Sequence, residues 1–428
     1  MIVLSDYALG PSFLWGIQLE RTALESKVKR NAGRLVDLVA IKKTERVRKR
    51  QCAGVAMNDR ERLLKVMAFE PVDVVPNYEM GLWQQTIDRW TAEGMPRGEV
   101  YLNWFEGEPF FGIDRRAFAP IHVGMWPGFE YQVLEEDERY IIARHPNGIV
   151  TKALKEGMVR GMRMCMDTYI SFPVTDRESF RRLVREHYDP HIPIRYPLWW
   201  SEWVRVWQTR DYPLCLLTNA AFGLYSGLRA WVGTENLSYL FFDDPAFVEE
   251  MLDFQTDFML AVVDRALEEV QFDYFNFFED FAGKNSPLIS PQIFRKFFVP
   301  RYKKIVERMR KAGIKYFWLD SDGTIDALIP LIIEAGINCI WPLEQAAGMD
   351  PLRLRKEYGR DLVLSGGIDK RELAKDRKAI ETELYAKIPP LLESGGFIPQ
   401  IDHTIPPDIP YDNFMYYMEL KRKLIGAS

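Results

Sequence analysis

From about residue 57 almost to the end of the chain, short apolar runs alternate with helical patterns. The runs are "DVVPNYE" (Asp73 to Glu79), "YPLCLLTN" (to Asn219), "FDYFNFFED" (to Asp280), "KYFWLDSD" (to Asp322), "INCIWPLE" (to Glu344), "DLVLSGGID" (to Asp369) and "GFIPQIDH" (to His403). Between them, Asp244-Pro245, Ser290-Pro291 and Asp350-Pro351 each set an N-cap side chain before a proline, which needs no N–H in a first helical turn. Pro300 is expected to kink or divide its helix, and Gly313, Gly336 and Gly359 stand where helices should stop. Such alternation requires parallel strands joined by right-handed crossovers.

The strands are short, apolar on both faces and too many for a small sheet. The expected fold is therefore α/β: a (β/α)8 TIM barrel. Residues Phe129 to Leu154 alternate like antiparallel strands around Asn147-Gly148, so a β-hairpin and aromatic region is expected as an insertion after the first strand. A doubly wound open sheet is the alternative, but "NYEMGLWQQ" is not the glycine-rich phosphate loop such a sheet usually carries.

Residues 1–56 differ from the rest. They hold eleven Lys and Arg against five Asp and Glu, leaving the remainder with 45 basic and 56 acidic residues. They are read as a basic, flexible extension, with a targeting or docking arm as the alternative, and residues 57–428 as the barrel domain. Asn58 and Glu61 form a capping-box pattern at the start of that domain.

The net charge of −5 argues against a nucleic-acid partner, and no apolar run approaches the roughly 18 residues of a membrane span. No secretory signal is expected at the N-terminus. Four scattered cysteines without a CxxC pair fit a reducing cytoplasm and offer no thiolate cage. Twelve tryptophans suggest a ring-lined pocket in addition to a core.

Nearly every run ends in a polar residue: Glu79, Asn219, Glu279 with Asp280, Asp320 with Asp322, Glu344, Asp369, and Asp402 with His403. In a barrel those ends converge on the face that carries the active site. Each has a plain structural alternative. Asp322-Gly323 fits an Asx-turn, Glu344 a pairing with a surface lysine, Glu279-Asp280 a turn or a pair with Lys284, and Asp369 an N-cap. His403 is the one histidine at a strand tip; the others, His187 and His191 among them, read as surface. Clustered carboxylates repel unless a cation, proton or arginine neutralises them. Carboxylates with one imidazole suit zinc, manganese or iron acting as a Lewis acid.

"RERLLKVMAFEPVDVVP", "LISPQIFRKFFVPRYKKIVERMRKAG", "LDSDGTIDALIPLIIEAGINCIWPLE", "LSGGIDKREL" and "GFIPQIDHTIPPDIPYDNFMYYMELKRKL" together resemble the uroporphyrinogen decarboxylase superfamily over roughly residues 57 to 425. The resemblance implies a (β/α)8 barrel and one of two chemistries. True uroporphyrinogen decarboxylases hold their substrate's carboxylates with an early arginine-rich stretch, where this chain reads "NYEMGLWQQTIDRW". The other branch comprises corrinoid-dependent methyltransferases. Members acting on coenzyme M carry a zinc site of His-x-Cys with a distant Cys; here Asp320 and Asp322 stand at the first two positions and no distal cysteine matches. Relatives that cleave methyl ethers use more varied ligands, carboxylates and histidine included.

The resemblance thus implies the methyltransferase component of a corrinoid system, moving a methyl group from a small donor, with methoxylated aromatics (O-demethylation) a candidate class. Its cofactors would be Zn2+ or a similar divalent metal on Asp320, Asp322, Glu344 and His403, and a corrinoid carried by a partner protein docked over the barrel mouth. Glu79 and Glu279 would be catalytic, and Tyr78, Asn219 and Trp83 would bind substrate. A metal-free decarboxylase and a non-catalytic binding protein on a barrel scaffold are the alternatives.

Overall fold

A computed structural model describes residues 56–96, 103–159, 162–163 and 166–427. The basic extension expected over residues 1–56 lies, but for Ala56, outside the described residues. Seven parallel strands form one curled sheet in chain order: β1 (Ala117–Phe118), β2 (Leu214–Cys215), β3 (Tyr274–Phe278), β4 (Tyr316–Asp320), β5 (Cys339–Trp341), β6 (Val363–Ser365) and β7 (Phe397–Ile398). Six of the seven apolar runs supply β2 to β7.

The seventh run, Asp73 to Glu79, is a correction to expectation, because it forms no ladder. Pro76 has no N–H to give one. The segment instead bridges the two edges of the sheet. Asp114 N, just before β1, donates to Asn77 O at 3.0 Å, and Ile401 N, just beyond β7, donates to Glu79 Oε2 at 2.9 Å. Strand β1 was not anticipated, since two residues between Arg116 and Ala119 show no periodicity.

Pleat parity divides the sheet's side chains into two populations. Phe275, Phe277, Phe317, Leu319, Ile340 and Leu364 belong to the main core between sheet and helices. Phe118, Cys215, Tyr274, Trp318, Cys339, Trp341, Val363 and Ile398 form a separate cluster within the curl, joined by Tyr78. The helix Asp59–Met67 closes one end of this interior with Leu63, Val66 and Met67. Its capping box is formed as the sequence requires: Asn58 Oδ1 accepts from Glu61 N at 2.9 Å, and Glu61 accepts from Asn58 N at 3.1 Å.

The N-caps at Asp244, Ser290 and Asp350 are all made by side chains. Pro300 divides its helix as expected: one turn at Pro291–Ile293, a π-helical segment at Phe294–Phe298, and an α-helix at Val299–Lys311. An antiparallel sheet of Gln132–Glu136, Tyr140–Arg144, Val150–Leu154 and Thr168–Ser171 lies in the chain between β1 and β2. Among the described residues no helix is long and apolar enough to cross a membrane.

Candidate functional site

The carboxyl ends of β4, β5 and β7 bring four of the expected residues to one end of the sheet. Asp320 closes β4 in register with Phe278 of β3 and Trp341 of β5. It shares the inward parity of Trp318 and is buried. A relay of amides leads to it from the interior. Trp341 Nε1 donates to Asn276 Oδ1 (2.9 Å), Asn276 Nδ2 to Asn219 Oδ1 (3.2 Å), and Asn219 Nδ2 to Asp320 Oδ2 (3.3 Å). Burial, reinforced by the neighbouring charge of Asp322, holds the Asp320 carboxyl well above the usual carboxylate range.

Two residues on, Asp322 meets His403: His403 Nε2 and Asp322 Oδ2 are 3.2 Å apart. Burial alone pushes the imidazole towards neutrality, but the hydrogen bond and charge of Asp322 outweigh it, and the His403 pKa lies above 6.5. The indole of Trp83 runs nearly parallel to the imidazole, with ring centroids 6.5 Å apart. Glu344 stands on the other side of the β4 loop, where Gly323 N donates to its Oε2 at 2.9 Å. Its second oxygen faces Lys370 Nζ at 3.4 Å, and the same ammonium lies 3.8 Å from Asp402 Oδ1. Asp402 is fully buried and also accepts from Gln345 N and Lys370 N at 2.8 and 3.1 Å. Its role is to tie the loops after β5, β6 and β7 together.

The donor types at this end suit a divalent ion, but the geometry does not gather them. Among the described residues no three His, Cys, Asp or Glu side chains converge on one point. Asp322 and His403 form a pair, Glu344 is engaged by a lysine and a backbone N–H, and Asp320 is turned to Asn219.

Glu79 and Glu279, expected to be catalytic, are placed elsewhere. Both have outward parity, opposite to Tyr78 and Asn276. Glu279 faces the helix Leu224–Val232 and accepts from Leu224 N (2.5 Å), Tyr225 N (3.0 Å) and Ser226 N (3.1 Å), and from the Tyr302 hydroxyl. Burial raises its pKa to about 7. Glu79 accepts from Tyr417 Oη (2.5 Å), Lys421 Nζ (2.6 Å) and Ile401 N (2.9 Å). Both carboxylates are engaged by structural partners: Glu279 caps the start of a helix, and Glu79 cross-links the last helix to the loop after β7. Asp280 pairs with Arg229 at 3.4 Å and not with Lys284. Asp369 is an N-cap, bonded to Arg371 N at 2.9 Å. His187, read as surface, is buried, its Nδ1 2.5 Å from Pro127 O.

Of the expected substrate residues, Asn219 and Trp83 stand at this end of the sheet, and Tyr78 lies inside the curl with its hydroxyl unbonded. Sequence reading missed Lys370 and Asn276. A polar residue at an inward position of an apolar run was the available signal for Asn276.

Residues 181–424 match the family described as uroporphyrinogen decarboxylase (URO-D). Among solved structures the chain is similar to a methyltransferase from Methanosarcina mazei, with 15% sequence identity and a TM-score of 0.55, over 86% of this chain and 98% of that one. At that identity the likeness shows the fold alone. No curated protein matches the chain.

Proposed function

We propose that this chain, which belongs to the uroporphyrinogen decarboxylase family, is the methyltransferase component of a corrinoid system. In this reading the curled sheet, with residues 73–79 across its gap, is a (β/α)8 barrel. The antiparallel strands are its inserted region, and the protein works in the cytoplasm. The observation that carries the reading is the Asp322–His403 pair at the strand tips, 3.2 Å apart beside a tryptophan and a buried aromatic interior. The fold shared with a methyltransferase supports it.

A corrinoid borne by a partner protein over the mouth would supply a cobalt nucleophile for the methyl group. The chain's own task is then the oxygen left behind. As the C–O bond breaks, its electron pair stays on oxygen, and that developing charge needs a proton or a cation. His403, whose protonated form Asp322 favours, can donate the proton, and Asp322 stabilises the imidazolium until it does so. Asn219, aligned through Asn276 and Trp341, has the position to orient a substrate beside Asp320. Zinc or a similar ion is the second candidate for the cationic role. It would begin from Asp322 and His403 and would need Glu344 freed from Lys370.

The test mixes purified protein, reduced corrinoid protein and a panel of methoxylated aromatics, and follows the corrinoid spectrum. Methylation of the corrinoid, reduced at least 100-fold in His403→Ala, is the expected result. No methylation with any donor, together with carbon dioxide release from uroporphyrinogen, would establish the decarboxylase instead. Metal content of untagged protein and of His403→Ala tests the divalent ion.

A further inference from the structure

The ammonium of Lys370 sits between two of the strand-tip carboxylates, and the chain fixes it there. Lys370 opens the short helix Lys370–Leu373 after β6, and its backbone N donates to Asp402 Oδ1 at 3.1 Å. The side chain turns back over that same oxygen, with Nζ 3.8 Å from it and 3.4 Å from Glu344 Oε1. One ammonium therefore joins the tips of β5 and β7. Its side chain is 22% exposed, as is that of Glu344, and Asp402 is fully buried, so little water screens the three charges. The neighbouring cations are committed elsewhere. Arg371 pairs with Asp369 at 2.7 Å, and Lys387 donates to Gln345 Oε1, Gly367 O and Glu383.

These contacts engage all four carboxylate oxygens. Glu344 Oε2 accepts from Gly323 N at 2.9 Å while Oε1 faces the ammonium. Asp402 Oδ2 accepts from Gln345 N at 2.8 Å while Oδ1 holds both nitrogens of Lys370. A divalent ion on Glu344 would have to displace that ammonium. The displaced group could not leave, because its own backbone is tied to Asp402, and it would remain beside the ion as a like charge. Asp402 would lose in the same step the cation that opposes the cost of its burial. Clustered acids need a positive charge among them, and here a side chain supplies it.

We propose that Lys370 is the cation around which the strand-tip acids are arranged, and that it keeps divalent ions off Glu344. Lys370 is a positioning residue: it holds the loops after β5, β6 and β7 in register and sets the charge that His403 and Asp322 work beside. The inference deepens the reading of that site and rests on it for the reaction alone. Of the two candidates for the cationic role there, it selects the proton of His403 over a bound ion. The exclusion of metal is a property of Lys370 and Glu344 whatever the substrate.

Metal binding is measured on the untagged full chain after treatment with a chelator, by calorimetry with Zn2+ and by the visible absorption of added Co2+. Lys370→Met should bind Zn2+ about 100-fold more tightly than the wild type, at one ion per chain. Adding His403→Ala to that variant should abolish the binding, and Lys370→Arg, which keeps the charge, should behave as the wild type. One tightly held Zn2+ per wild-type chain would overturn the inference whatever becomes of the variants. So would equal affinities in the wild type and Lys370→Met, or binding in Lys370→Met that survives His403→Ala, the mark of an adventitious ion only. Near-UV circular dichroism checks the fold, and Lys370→Gln repeats the comparison if Lys370→Met fails to fold. Metal exclusion without methyl transfer to any corrinoid would refute the methyltransferase and leave the role of Lys370 standing. Methyl transfer by a chain that holds one Zn2+ would do the reverse.

Discussion

Glu79 and Lys421 form an ion pair 2.6 Å long with neither side chain exposed to solvent. The pair joins the segment bridging the sheet edges to the last helix, Tyr411–Ile425. Burial pulls the Lys421 ammonium below its usual pKa and Glu79 opposes that pull, so the charge depends on its partner.

Lys421→Met should therefore cost about 3–5 kcal/mol, since it leaves a carboxylate buried without a counter-charge. Glu79→Gln combined with Lys421→Met should cost markedly less, because the amide oxygen can still accept from Ile401 N, the amide NH2 can donate to the Tyr417 hydroxyl, and no charge remains. Urea unfolding followed by tryptophan fluorescence gives both values. Equal losses in the single and double variants would show that charge pairing is not what the site contributes.

Glu279 is the single acceptor for three N–H groups at one helix start. Glu279→Ala should lower stability by about 3 kcal/mol, and Tyr302→Phe by about 1 kcal/mol. Methyl transfer per folded molecule should change little in either. A 100-fold loss of turnover in well-folded Tyr302→Phe would instead put this carboxylate in the chemistry.

These two glutamates show what was legible in the sequence. Apolar runs ending in acids revealed the parallel strands, the end of the sheet where their polar tips gather, and the meeting of Asp322 with His403. They did not reveal which way each tip faces. Asp320 follows Trp318 by two residues and points inward; Glu279 follows the outward Phe277 and meets a helix. Counting parity from the strand's inward residues separates the two, but only once the inward set is known. Lys370 was invisible for another reason: a lysine between Asp369 and Arg371 looks like solvated surface.

Gly366 ends β6 with φ of +103°, and a Cβ there would sit 1.8 Å from Pro342 O. Backbone must move to admit it. Gly366→Ala should cost about 3 kcal/mol or more and disturb the loop that carries Lys370. Gly348→Ala is the control, with φ of +80° and no atom within 4 Å, and should cost about 1 kcal/mol. Matching thermal midpoints for the two variants would contradict the steric argument.

The Asp322–His403 pair makes both stability and turnover depend on pH. The folded His403 pKa lies above 6.5, its ordinary value, so the native state binds its proton more tightly than the unfolded chain does. The resulting stability is present in full below about pH 6.5 and is lost as pH rises through the raised folded pKa. Turnover, if His403 supplies the proton, should fall over the same upper range. Asp322→Asn removes the nearest opposing charge and leaves burial opposed only by the weaker pull of Glu344, so both transitions should move to lower pH. Proton NMR of the imidazole in the wild type and the variant measures the pKa directly, and a pH–rate profile measures its use. An imidazole pKa that is unmoved by Asp322→Asn would sink the pairing. A moved pKa with an unmoved rate profile would assign the proton to another group and leave His403 as a positioning residue.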